Sequence, residues 1–160
     1  MSQILYVVMA ISLASLLTFG GISYFNSDTS TRLIVSRGLI SQYEAITSGI
    51  SSYRLANNGL LPESIDQFKG YMHQGEVPSF GEKSDIYSWT VGTLSGNSIA
   101  CVSIPSDKSL AVSSALAFAQ DAKSKKANPI VGESCGSGDE YVKGMTIPTT
   151  PTIFITLKGA

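Results

Sequence analysis

The chain has 160 residues, a formal net charge of −1 and only 14% charged residues. That length allows one modest core beside one apolar segment, and the absence of a basic field sets nucleic acid aside as a partner. With a single histidine, His73, in a loop-like stretch, Ser-His-Asp or Cys-His catalysis has no natural base, and a solvated histidine is expected.

Residues 1–27 carry no charged side chain, and residues 4–25 (ILYVVMAISLASLLTFGGISYF) are one apolar run. As a helix this run spans roughly 33 Å, about the hydrocarbon thickness of a bilayer. Only Met1, Ser2 and Gln3 precede it, so neither the basic region of a secretory signal nor the flanking cations of an oriented anchor are present. The expectation is a mature chain whose basic leader has been cleaved in front of the hydrophobic segment rather than behind it.

Beyond polar residues 26–32, Leu39, Tyr43, Ile46, Ile50 and Tyr53 recur at steps of four and three and trace one helical stripe. Ser41, Gln42, Glu44, Ser48, Ser51 and Ser52 fall largely off it. Asn57-Asn58-Gly59 is a C-cap signal, and Pro62 follows. The pattern predicts one long helix from near Gln3 to Asn57. Its weak point is Gly20-Gly21, where each glycine costs about 1 kcal/mol relative to alanine. The chain thus divides into 1–28, a hydrophobic helix, and 29–160, a globular domain that includes the amphipathic half of the helix.

Residues 60–85 read as a connector with a short amphipathic piece at Ile65, Phe68 and Met72. Residues 86–94 alternate as a strand with Tyr87, Trp89 and Val91 on one side, and Trp89 is expected in the core. Ser95-Gly96-Asn97 is a turn and residues 99–104 a second strand, so the two form a hairpin. Asp107 is the expected N-cap of a helix over residues 108–126, with Leu110, Ala115, Phe118 and Ala122 inward. Lys123, Lys125 and Lys126 suit the negative end of its dipole and read as a solvated helix end. Residues 132–138 are a flexible stretch holding Cys135, with Gly136-Ser137-Gly138-Asp139-Glu140 a turn beside it. Residues 145–147 and 153–157 read as closing strands.

Cys101 and Cys135 are the only cysteines. In a chain read as exported they are expected to form one disulfide, contributing roughly 3–4 kcal/mol, with two buried thiols the alternative. Their spacing fits no zinc pattern, and the glycine- and acid-rich stretch from Gly136 to Glu140 lacks the lysine of a phosphate loop and the acidic spacing of a calcium loop. The expectation is therefore no catalytic residue, no cofactor and no metal.

The apolar N-terminal run, the helix end ISSYRLANNGLLP at residues 50–62 and the ACVSI strand with its late second cysteine carry a resemblance. Together they resemble the type IV pilin family, most closely its type IVb branch of bundle-forming and toxin-coregulated pilins. GGISYFNSDTS at residues 20–30 is similar to the bundle-forming pilins at that place. The resemblance implies an α+β fold: a long N-terminal helix on a small antiparallel sheet, with a second helix in the C-terminal disulfide region. It implies a homo-oligomeric helical filament for adhesion, motility, aggregation or DNA or phage uptake, cleavage by a prepilin peptidase, handling by the pilus assembly machinery and N-methylation at Met1. Ile4, Leu5, Val7, Val8, Ile11, Leu13, Leu16, Leu17, Phe19, Ile22 and Phe25 would pack the filament core, with Gly20 and Gly21 as a hinge. The same run would hold the unassembled subunit in the inner membrane. The family usually has a glutamate at the fifth mature position; here Leu5 stands there, and no acid precedes Asp28. That departure resembles minor pilins and type II secretion pseudopilins at a filament tip. An N-terminally anchored periplasmic binding module is the rival from another class.

Overall fold

The computed structural model describes residues 27–158. Met1, the core-packing positions from Ile4 to Phe25, and Gly20 and Gly21 lie outside the described residues. The chain divides into two units, Met1–Thr31 and Arg32–Ala160, and the second holds every described element except the opening residues of the first helix. The architecture is α+β: a long helix on a small antiparallel sheet, with a disulfide. Among the described residues no helix is long and apolar enough to cross a membrane.

Helix α1 (Ser27–Ala56) ends one residue before the expected Asn57. Asn58 and Gly59 have positive φ, and Gly59 donates its N–H to the Arg54 carbonyl at 2.8 Å, which satisfies a terminal acceptor. Leu39, Ile46 and Ile50 are fully buried, while Tyr43 and Tyr53 pack half-buried at the margin of the core. The buried face begins earlier, at Val35 and Ser36, and it includes Gln42, assigned above to the polar side. Gln42 continues the helical step from Leu39 and is tolerated inside because both ends of its amide are bonded.

The connector wraps against this helix as α2 (Ile65–Phe68) and three short 3₁₀ turns, Lys69–Tyr71, His73–Gly75 and Glu82–Ile86. The last of these occupies the start of the stretch expected as a strand. Phe68 and Met72 are buried, Ile65 packs partly buried against the core, and His73 stands exposed. Gly49 on α1 makes this contact close. A Cβ there would lie 2.7 Å from Met72 Cγ and 2.8 Å from Phe68 Cδ2, so any larger residue would push these side chains aside.

The sheet has the order β1-β2-β5-β3-β4, antiparallel throughout, from β1 (Ser88–Leu94), β2 (Asn97–Pro105), β3 (Ile130–Gly132), β4 (Asp139–Glu140) and β5 (Thr152–Lys158). The expected hairpin is β1–β2. Its two loop residues, Ser95 and Gly96, both have positive φ, the turn whose twist matches the strands it joins. Trp89, Val102 and Ile155 stand in register across three strands, as do Val91, Ala100 and Leu157, and these rows face the core.

Helix α3 (Ser109–Ser124) closes the core with Ala111, Ala115, Phe118, Ala119 and Ala122. Two expectations for it are corrected. Leu110 is only half-buried and Ala111 is buried beside it, while Ala115, Phe118 and Ala122 face inward as expected. Asp107 is not the N-cap: Lys108 occupies that position without a side-chain cap bond, and exposed Asp107 pairs with Lys108 at 3.4 Å. The turn in which Lys108 N–H reaches the Pro105 carbonyl carries Asp107 one residue too early to cap.

Residues 145–147 are not a strand. The ladder beside β5 is filled by β3, whose Val131 pairs with Ile155. That leaves the segment before Pro148 to run over the surface, with Met145 and Ile147 partly buried against the core.

Candidate functional site

Two parts of the surface bear on what the domain does: the loop stapled to the outer side of the sheet, and the outward face of α1. Cys101 lies mid-β2, fully buried, on the sheet face opposite the Val102 row. It is disulfide-bonded to Cys135, with the two Cα atoms 5.6 Å apart. Thr156, the register partner of Cys101 on β5, contributes Oγ1 3.3 Å from the Cys101 sulfur. The same hydroxyl accepts the Gly136 N–H at 2.9 Å.

The loop is therefore held by one covalent bond and one backbone contact next to it, and the stretch expected to be flexible is tied down. Beyond Cys135 the chain crosses directly over β3. A Cβ on Gly138 would strike the Val131 carbonyl, and one on Gly132 would strike Ser137 O. Gly138 also has φ of 121°, which disfavours any side chain. Ser134 and Ser137 close the turn between them, their hydroxyls 2.7 Å apart.

The lysines at the C-terminal end of α3 are not simply solvated. Lys123 Nζ donates to the Tyr141 carbonyl at 2.6 Å and sits 3.1 Å from Glu140, which clamps the end of α3 to the segment after β4. Lys125 reaches Glu44 of α1 at 3.5 Å, between exposed side chains whose pairing contributes at most about 1 kcal/mol.

On α1 the outward positions Arg37, Ser41, Glu44, Ser48 and Ser52 are polar and exposed. Apolar exposure is confined to the two ends: Leu33 and Ile34 at 53% and 54%, and Leu55 at 89%. The middle of the helix face is built for water and its ends carry apolar contact surface.

Polar pairs, several of them partly or wholly buried, join elements. Ser36 Oγ donates to Asp121 at 2.8 Å and ties α1 to α3. Gln42 donates through Nε2 to the Pro78 carbonyl at 2.7 Å and accepts the Trp89 indole N–H at 2.7 Å, so one amide joins helix, connector and sheet. Tyr87 donates to the Ala111 carbonyl at 3.3 Å. Burial pushes its hydroxyl pKa up to about 12, against a smaller lowering from its bond to Ser114. Burial likewise raises Tyr43, whose hydroxyl donates to Lys158 O at 2.5 Å.

Sequence periodicity alone missed Ser36, Gln42 and Lys123. A polar residue at a helical step from apolar neighbours was the signal available for the first two. Among the described residues no group of three or more His, Cys, Asp or Glu side chains is placed to hold a metal. The clefts are open and shallow in chemistry; that between α3 and the 147–149 segment encloses about 470 Å³ and is lined mainly by Val112, Leu116, Ile147 and Ile153 with serine hydroxyls. No family model, curated protein or solved structure matches this chain.

Proposed function

We propose that the chain is a non-catalytic structural subunit, a type IVb-like pilin, that polymerises through residues 4–25 into an extracellular filament. The observation that carries the reading is the join of two unlike halves in one sequence. A charge-free apolar run leads into a 30-residue helix that lays one face on an antiparallel sheet, and a disulfide fastens the C-terminal half. Such a chain needs two environments: lipid or other subunits for the run, and its own domain for the helix that follows. Repeated heterologous contacts that do not close into a ring produce a fibre. In this reading the inner membrane holds the subunit before a prepilin peptidase and the pilus machinery act on it.

The lack of any acidic side chain among residues 1–27 favours a second reading within the class. Without an acid to neutralise the N-terminal amine of a neighbour in an apolar core, a subunit at the filament tip avoids an unpaired buried charge. This is the minor-pilin or type II secretion pseudopilin alternative.

Expression with a pilus assembly system, followed by negative-stain electron microscopy, tests the proposal. The full chain should enter filaments, and the chain lacking residues 1–28 should remain a folded domain that forms none. Filaments of normal diameter from the truncated chain would overturn it.

A further inference from the structure

The two edges of the sheet are built differently. At one edge β4 has two residues, Asp139 and Glu140, both acidic and exposed, with Lys123 paired to Glu140. A short charged strand is a poor template for further pairing. At the other edge β1 runs seven residues, SWTVGTL, with no charge and no proline. Its register against β2 is continuous from Ser88↔Ser103 to Leu94↔Asn97, so no bulge turns it aside.

The hairpin also determines which backbone groups are spent. In a two-residue hairpin the residues flanking the loop form a hydrogen-bonded pair, here Leu94 and Asn97. Alternation then directs the N–H and C=O of Ser88, Thr90 and Gly92 to β2, and those of Trp89, Val91 and Thr93 outward. Among the described residues no backbone hydrogen bond beyond the β1–β2 ladder reaches these three. Residues 77 and 79 flank only the start of the strand, across a cleft of about 340 Å³ bordered by Ser88 and Trp89.

We infer that β1 is a pairing edge for β1 of a second copy of this chain, antiparallel about a two-fold axis at Val91. The occupant follows from self-complementarity. A two-fold at Val91 sets Val91 against Val91 of the other copy and Trp89 against its Thr93, so all three outward-directed residues meet outward-directed partners. No charge on the strand opposes itself, whereas an acidic or basic peptide would find nothing on it to read. The acidic β4 edge is too short to match it, which excludes a head-to-tail ribbon. Because an isologous contact closes on itself, it joins two subunits and does not propagate a fibre. A strand pair of this length buries less than the ~1,200 Å² of a stable interface, so the contact depends on concentration. The inference stands independently of the proposed function.

Residue-resolved hydrogen exchange on the full chain in detergent micelles tests it, with Thr93→Pro as the variant. Thr93 is exposed and its N–H points away from β2, so proline there blocks the edge while sparing the hairpin ladder. The Val91 and Thr93 amides of the unmodified chain should be protected at least tenfold at high protein concentration and lose that protection on dilution. In Thr93→Pro the Val91 protection should vanish while the β2–β5 amides stay unchanged. If that variant misfolds, Thr93→Lys provides the same comparison. Val91 and Thr93 amides that exchange at unstructured rates at every concentration would overturn the inference, as would protection that dilution and the edge variants leave intact. Filament formation through residues 4–25 is read separately and is not altered by either variant.

Discussion

The sheet and the connector cover the same helix by different means. The sheet reaches α1 as a laddered surface whose registers repeat an apolar row, and a disulfide fastens its outer side. The connector over residues 57–87 has no ladder. It holds through Phe68 and Met72 set against Gly49, Phe80 against Gly38, and the Gln42 bridge to Pro78. A laddered region opens as a unit, because each strand's bonds depend on its neighbour's. A side-chain-packed region can open locally at lower cost. The connector should therefore be the first part of the domain to exchange.

The largest effect expected from breaking this contrast is on the sheet. Cys135→Ser should lower global stability by about 3–4 kcal/mol by releasing the loop between the cysteines in the unfolded chain. Denaturant unfolding would show this as a lower midpoint, with β2 and β5 amides losing protection together. Gln42→Ala should cost about 2–3 kcal/mol, because it strands the buried Trp89 N–H and the Pro78 carbonyl. Its signature differs: exchange should accelerate over residues 65–86 while the β2–β5 ladder keeps its rates. Gly49→Ala sets about 1 kcal/mol of gained helix propensity against overpacking of about 1–3 kcal/mol at Phe68 and Met72. The net should be a small loss confined to the connector, and a stabilised protein would show that the connector yields without cost.

The smallest effect near neutral pH comes from Tyr87, which sits where connector meets strand. Its folded pKa, about 12, lies above the ~10 of an unfolded tyrosine, so the folded state holds the proton more tightly. Its contribution is fully present below about pH 10 and is lost as pH rises towards 12, and Tyr43 acts in the same direction. Denaturant midpoints should fall over that range in the native chain and fall less in Tyr87→Phe.

These two regions also differ in how far the sequence disclosed them. Alternation at Tyr87, Trp89 and Val91 and the Ser-Gly turn signal were enough for the hairpin, because a pleated strand half-covered by helices must alternate. The stripe from Leu39 to Tyr53 was enough for the buried face of α1. Gln42 was misassigned because polarity outweighed its helical phase, and only its partners on distant segments explain its burial. Strands β3 and β4, of three and two residues, are too short to show a period, and residues 145–147 read as a strand in the sequence but find the place beside β5 filled by β3. Gly38 and Gly49 gave no local signal, since their role is to leave room for aromatic side chains far along the chain. Of the candidate site, the cysteine pair was legible from the even count together with the expectation of export; the clamp by Lys123 depended on where Tyr141 returns.

The proposed function puts this chain in the body of a filament, held there by its apolar run. Quantitative immunolabelling of purified filaments, counting copies of this subunit along their length, tests it most directly. A body subunit should be labelled at many sites distributed along each filament. Label confined to one end, or absent from filaments, would rule that role out.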